Sequence, residues 1–366
     1  MPALVMLSLI SMDDIRHMKR ALSLARRAIG KTSPNPMVGA VLVKNDRVLA
    51  EDYHKKAGEP HAEALVLTSA GDRAKGATLY VTLEPCCHTQ KRTPPCTNAI
   101  IGTGVKRVVV AMSDPNPKVS GKGIAHLKAA GIKATEGVLQ DEARALNEAY
   151  IKHVTTGIPF VTLKTAMTLD GKIATPEGQS KWITGEKSRL LVHKLRSSVD
   201  AIVTAVGTVK ADDPELTARV RGGKSPVRVV IDPQLKSALS ARIFKCPPRT
   251  IVVTSAKGDK LNKLTKSGVN AITFKGQLEL NWLMGELGAM GFNSVLIEGG
   301  SSLNGHALME GVVDKVFYFI APRIIGGKDS FPAVGGRSYL PLDKALKLKN
   351  MKVRRIGEDI LVEGYL

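Results

Sequence analysis

The chain has 366 residues, of which 43% are hydrophobic and 23% charged; this is ordinary globular composition at a length that one core rarely supports, so two domains are expected. No uninterrupted apolar run approaches the roughly 20 residues needed to span a bilayer, and four cysteines, three of them crowded at 86, 87 and 96, suit metal binding or catalysis better than a disulfide framework. The net charge of +20 is spread over both halves without a tail or stripe, and aromatics make up only 4%, so phosphorylated small molecules are favoured over nucleic acid as partners.

The first ten residues are apolar but lack a basic n-region and a small-residue cleavage site, so they are expected to be an extension, not a signal peptide. Ser11 with Asp14 three residues on starts a helix whose buried face is Ile15, Met18, Leu22, Ala25 and Ile29, ended by Gly30. Met37 to Val43 and Arg47 to Ala50 read as two strands of a hairpin turned at Lys44-Asn45-Asp46. A helix from about His61, a strand Ala77 to Leu83, a helix Cys96 to Ile101, a strand Arg107 to Met112 and a helix Ile124 to Ala130 follow. One longer helix is predicted over Leu139 to Val154. Such alternation implies an α/β sandwich with a partly parallel sheet.

Thr155-Thr156-Gly157-Ile158-Pro159 breaks the pattern, which places a boundary between a domain at 1–156 and another at 157–366. The second half has strands Phe160 to Thr165, Ala201 to Ala205, Val227 to Ile231, Thr250 to Thr254, Ser294 to Ile297, Lys315 to Ile320 and Asp359 to Gly364. Helices Lys187 to Ser197, Leu280 to Met290 and Leu303 to Met309 lie among them, which is enough for a second α/β core.

The most specific feature is His61-Ala62-Glu63, followed by Leu83-Glu84-Pro85-Cys86 and Pro94-Pro95-Cys96. It approximates the zinc deaminase signature, in which one His and two Cys hold the metal while a Glu moves protons. Three protein ligands leave zinc a fourth position for a water whose pKa drops to about 7. A carboxylate two residues from the His ligand can then carry that water's proton to a ring nitrogen and to leaving ammonia, a role that fits Glu63. A closed structural site with His88 as fourth ligand is the bland alternative, and it would leave Glu63 idle.

Thr32-Ser33-Pro34-Asn35-Pro36-Met37-Val38-Gly39, His54, Gly58-Glu59-Pro60-His61-Ala62-Glu63, Val81-Thr82-Leu83-Glu84-Pro85-Cys86 and Asp114-Pro115-Asn116-Pro117 together resemble the deaminase domain of the bifunctional riboflavin biosynthesis family. The resemblance implies hydrolytic loss of the 2-amino group of a diaminopyrimidinone carrying a phosphoribosylamino group, with substrate contacts at Asn35, His54, His88, Arg92 and Asn116. The family pattern places eight residues between the cysteine ligands, whereas nine separate Cys86 from Cys96; Cys87 would restore eight, and Cys86 is favoured because it keeps the Pro-Cys step.

The second half has no Gly-x-Gly-x-x-Gly after a strand, so a Rossmann site is unsupported. Lys164, Leu169-Asp170-Gly171-Lys172, Ser180-Lys181-Trp182, Val206-Gly207-Thr208, Asp212-Asp213-Pro214, Leu216-Thr217-Ala218-Arg219 and Glu298-Gly299-Gly300 resemble the reductase domain of the same family. The implied architecture is a cytidine-deaminase-like α/β/α sandwich followed by a dihydrofolate-reductase-like α/β domain that uses NADPH. Cofactor contacts carry over to Ala166, Trp182, Thr208, Asp212, Gly300, Ser301 and Ser302, and substrate contacts to Lys164, Ser180, Arg196, Leu216, Arg219 and Glu298, the arginines matching the ribose phosphate. Glycines before the helix at Leu303 would let backbone N–H groups approach a pyrophosphate. Expected partners are therefore Zn2+, NADPH, a phosphorylated pyrimidine and further copies of the chain, as dimer or tetramer, with no nucleic acid or membrane; the expected compartment is the cytoplasm. The runner-up is a nucleotide or nucleic-acid deaminase with an accessory domain.

Overall fold

The computed structural model describes residues 10–87, 94–336 and 339–366, and the chain separates into two units, Met1–Thr156 and Gly157–Leu366. His88, Arg92 and the N-terminal extension up to residue 9 lie outside the described residues.

In the first unit, helix α1 (Met12–Ala25) opens with a complete capping box: the Ser11 hydroxyl accepts from the Asp14 N–H and the Asp14 carboxylate accepts from the Ser11 N–H, 3.1 Å each. It stops at Ala25, earlier than the periodicity predicts, and passes through a 3-10 turn, Arg26–Ala28, so Ile29 is exposed instead of continuing the buried face. Strands β1 (Gly39–Lys44) and β2 (Arg47–Tyr53) pair antiparallel across Asn45 and Asp46. Both turn residues have positive φ, as a type I′ hairpin turn demands. Helix α2 (Ala62–Ala70), strand β3 (Thr78–Val81), helix α3 (Cys96–Gly102), strand β4 (Arg107–Val110), helix α4 (Lys122–Ala129) and strand β5 (Lys133–Glu136) follow. The sheet order is β2-β1-β3-β4-β5, with β3, β4 and β5 parallel and the β1 pairings antiparallel. Met18, Leu22, Leu42, Leu79, Val109 and Leu127 sit in its fully buried core.

The long helix predicted over Leu139 to Val154 is two helices, α5 (Gln140–Leu146) and α6 (Glu148–Thr156). Asn147 interrupts them because its side-chain amide is engaged elsewhere, accepting from the Met37 N–H at 2.8 Å and donating to the Met37 carbonyl at 3.1 Å. Thr155 and Thr156 belong to α6, so the break falls at Gly157, whose φ of 74° lies in the left-handed region.

The second unit is built on strands β6 (Phe160–Thr168), β7 (Lys172–Ala174), β8 (Ala201–Ala205), β9 (Val227–Ile231), β10 (Ile251–Thr254), β11 (Asn270–Thr273), β12 (Ser294–Ile297), β13 (Lys315–Ala321), β14 (Phe331–Pro332), β15 (Lys349–Ile356) and β16 (Asp359–Tyr365). Its helices are α7 (Glu186–Ser198), α8 (Val206–Asp212), α9 (Asp259–Lys266), α10 (Leu280–Ala289) and α11 (Ser301–Met309). Nine strands form one sheet in the order β11-β10-β9-β8-β12-β6-β13-β16-β15, and β7 pairs separately with β14. The central strands are parallel and buried on both faces: Val161, Val203 and Val295 enter one cluster while Ile202, Val230 and Leu296 enter another. The chain leaves β8 toward β9 and β10 but leaves β12 on the other side toward β13, so the crevice past the carboxyl ends of β8 and β12 is where such a sheet binds ligands.

Candidate active sites

His61 precedes α2 in an extended conformation as its N-cap, which puts Glu63 in the first helical turn, buried. Cys86 lies on the segment following β3, and Cys96 is the first residue of α3. His61 Nδ1 stands 3.2 Å from Cys96 Sγ and 3.6 Å from Cys86 Sγ, and the three ligand atoms all lie within 4.8 Å of one another. Nitrogen and sulfur ligands at ordinary zinc distances in tetrahedral geometry stand about 3.6 Å apart, so the donor set fits zinc in both chemistry and spacing. The Cys96 N–H donates to Cys86 Sγ at 3.4 Å, so both sulfurs sit at the start of α3, where N–H groups favour thiolate. Cys87 is half-buried and not part of this group.

His61 and Cys86 line a cavity of about 560 Å³ together with Asn35, His54, Glu63, Glu84, Asp114, Asn116 and Tyr150. Burial, with a smaller effect from the Cys86 sulfur, pushes the Glu63 carboxyl up from its ordinary value. Burial lowers the His54 imidazole, and its two nitrogens face the Pro60 carbonyl at 3.2 Å and the Asn35 amide nitrogen at 3.1 Å. That pairing fits a neutral ring with the proton on Nδ1. The Asp114 carboxylate accepts from Tyr150 Oη and from the Asn116 N–H, 2.9 Å each, although burial raises its carboxyl. Asp114 and Glu84 lie inside the motifs quoted above, which give neither a role of its own; Tyr150, brought in by α6, carries no local signal. Another cavity, of about 450 Å³, lies past the opposite ends of β3 and β4, where Arg107 and Tyr80 both bond the buried Asp14 carboxylate; no metal-binding group lies there among the described residues.

In the second unit the half-buried Lys164 and Arg196 gather around the buried Glu298. Arg196 grips Glu298 through Nε and one Nη at 2.7 and 2.9 Å, and Lys164 Nζ lies 3.5 Å from the same carboxylate. Burial alone would raise the Glu298 carboxyl, but the two cations outweigh it and hold it at about 2. The planar fork of Arg196 is thus occupied by Glu298, whereas the Arg219 guanidinium stays exposed and meets Glu215 at 3.1 Å. Ser180 Oγ donates to Asp212 Oδ1 at 3.2 Å, joining a residue expected at the substrate to one expected at the cofactor. Trp182 is 62% exposed, with the Arg189 guanidinium 4.8 Å from its ring.

Gly300 caps α11 immediately after β12 and lies beside Thr208 of α8: a Cβ added to Gly300 would be 3.8 Å from Thr208 Oγ1. Behind it, a Cβ on Gly335 would fall 2.2 Å from Ser301 Oγ, and the Gly335 N–H bonds the Ser301 carbonyl. Ser302 occupies the first turn of the same helix. The Leu216 side chain is buried among Ile202, Val209 and Leu296 and the Ala166 side chain packs toward Phe317 and Phe319, so each is left only its backbone to offer a ligand. Among the described residues no helix is long and apolar enough to cross a membrane.

Comparison with known proteins gives a consistent pattern. Residues 11–112 match the cytidine and deoxycytidylate deaminase zinc-binding region, and residues 159–362 match the RibD C-terminal domain. The riboflavin biosynthesis protein RibD of Aquifex aeolicus is 46% identical over 351 residues, covering 95% of this chain and 97% of its own length. That of Escherichia coli is 40% identical over 366 residues, covering 95% and 98%. Among solved structures, RibD of Acinetobacter baumannii superposes with a TM-score of 0.89 at 37% identity over 96% of this chain and 98% of its own. A diaminohydroxyphosphoribosylaminopyrimidine deaminase/5-amino-6-(5-phosphoribosylamino)uracil reductase from Thermotoga maritima gives 0.89 at 38%, with the same coverage.

Proposed function

The chain belongs to the RibD family of riboflavin biosynthesis proteins, and from that premise we propose that its two units carry successive steps on one phosphorylated pyrimidine. Its fold is a cytidine-deaminase-like unit followed by a dihydrofolate-reductase-like one. Residues 1–156 hydrolyse the 2-amino group of 2,5-diamino-6-(5-phosphoribosylamino)pyrimidin-4-one, and residues 157–366 reduce the ribosyl group to ribityl with NADPH, giving 5-amino-6-(5-phosphoribitylamino)uracil. The observation that carries the first step is the convergence of His61, Cys86 and Cys96 on one another beside a cavity that His61, Cys86 and the buried Glu63 line.

His61, Cys86 and Cys96 hold zinc, which when bound supplies a water acidified to near neutrality. Glu63, beside the ligands yet not one of them, moves protons to the ring and to the departing ammonia. Asn35, its amide nitrogen turned to His54, keeps its carbonyl oxygen for a ring N–H, and Asn116 faces the same cavity. His88 and Arg92 are proposed to reach the phosphate end of the substrate.

In the second unit the start of α11, with Gly300, Ser301 and Ser302, binds the NADPH pyrophosphate, flanked by Thr208, Asp212, Trp182 and the Ala166 backbone. Lys164 and Ser180 hold the sugar, the Leu216 backbone borders it, and Arg219 pairs with the phosphate. Glu298 fixes Arg196 and Lys164 as one rigid group. The cofactor supplies the hydride, so the protein has only to position and hold. We further propose that the chain works in the cytoplasm as a homo-oligomer.

Glu63→Gln separates the two steps. Zinc content and the reduction of the deaminated intermediate should stay at the parent level while ammonia release drops about a thousandfold. Loss of zinc in this variant would make Glu63 a ligand and overturn its assignment.

A further inference from the structure

Glu84 stands two residues before Cys86 and is 3% exposed, yet no element of the mechanism above uses it. Its carboxylate accepts four backbone N–H groups: Oε2 from Asp114 at 3.1 Å and Gly121 at 3.0 Å, Oε1 from Gly123 at 2.9 Å and Ile124 at 3.2 Å. Its own N–H donates to the Met112 carbonyl at 3.0 Å. Gly121 is the N-cap of α4 and has no side chain to cap with, so Glu84 does that work from another segment, with its negative charge at the positive end of the helix. The contact is close: a Cβ on Gly123 would fall 2.1 Å from the Pro85 carbonyl oxygen and 3.1 Å from Glu84 Oε1.

One carboxylate thereby joins the segment carrying Cys86 to the turn at 114–121, which carries Asp114 and Asn116 into the cavity. We propose that Glu84 is a positioning residue of the deamination, setting the distance between the metal-binding group and the side chains that grip the pyrimidine ring. It acts only through those side chains, and the inference rests on reading this cavity as the deaminase site. A glutamine would keep the shape but replace one acceptor oxygen by an NH2 group facing backbone donors, so the turn would shift while His61, Cys86 and Cys96 stayed together.

In the full chain, Glu84→Gln should raise KM for the diaminopyrimidinone about tenfold or more, with a smaller fall in kcat, zinc content equal to the parent's, and unchanged reduction of the deaminated intermediate. Gly123→Ala, which disturbs the same contact from the α4 side, should show the same KM-weighted defect. A parent-like KM in both variants overturns the proposal, and so does zinc depletion with activity restored by added zinc, since the effect would then run through the ligands. If Glu84→Gln yields no folded protein, Gly123→Ala decides alone by the same criterion. A parent chain that releases no ammonia from this substrate would instead sink the deaminase reading itself.

Discussion

Two sulfurs and one imidazole meet because His61 caps one helix, Cys96 begins another and Cys86 lies on the segment that follows β3. Thiolate ligands near 2.3 Å cannot be replaced by hydroxyls without a large loss of affinity, so Cys86→Ser and Cys96→Ser should lose zinc while Cys87→Ser keeps it, as metal analysis of the three variants would record. An empty site in Cys87→Ser would mean that the spacing of eight outweighs the Pro-Cys step. The cluster at Glu298 predicts a pH dependence in the second unit. Its folded-state pKa of about 2 lies below the roughly 4.3 of an unfolded glutamate, so its stabilisation is complete above that value and is lost as pH falls toward 2. Glu298→Gln leaves the half-buried Arg196 and Lys164 without their counter-charge, which should cost about 3 kcal/mol at neutral pH and make the loss of stability between about pH 4.5 and 3 shallower. Both tryptophans, Trp182 and Trp282, lie in this unit, so denaturation followed by their fluorescence reads it selectively. An acid limb as steep as the parent's would contradict the assignment.

At the level of elements, the capping box of α1 is a local signal that the structure realises atom for atom, and Ser11→Ala should lower the stability of the first unit by about 1 kcal/mol in chemical denaturation. A change within error would show that the cap is replaced by solvent. The strands legible in the sequence are mainly those buried in the sheets, such as β8, β9 and β12, whose apolar runs mark their limits. The sequence pattern does not mark β5, β11 and β15, each at a sheet edge, or the short β7 and β14. An edge strand has one neighbour and much solvent, so Lys133–Glu136 and Lys349–Ile356 carry charged residues that mask the period-two pattern. Asn147 illustrates the complementary limit: its bonds to Met37, 110 residues away, override a helical period that is locally unbroken. The site follows the same rule. The clustering of His61, Cys86 and Cys96 was legible because residue type and spacing alone suggest it, whereas the occupation of Arg196 by Glu298, 102 residues on, is tertiary.

For the whole molecule, the two units have separate cores and separate chemistries, and the reaction class of the first supplies the substrate of the second. A hydrolysis that exchanges an amino group for an oxo group needs no cofactor in solution, while the proposed reduction adds two hydrogens and would consume NADPH stoichiometrically. The purified chain, loaded with zinc, should therefore be given the diaminopyrimidinone ribosyl phosphate with and without NADPH and its products identified by mass. Without NADPH the account predicts the deaminated ribosyl compound and ammonia; with NADPH it predicts the ribityl product, with one NADPH oxidised per molecule formed. Unchanged substrate in both samples, or a product reduced without loss of the amino group, would contradict it.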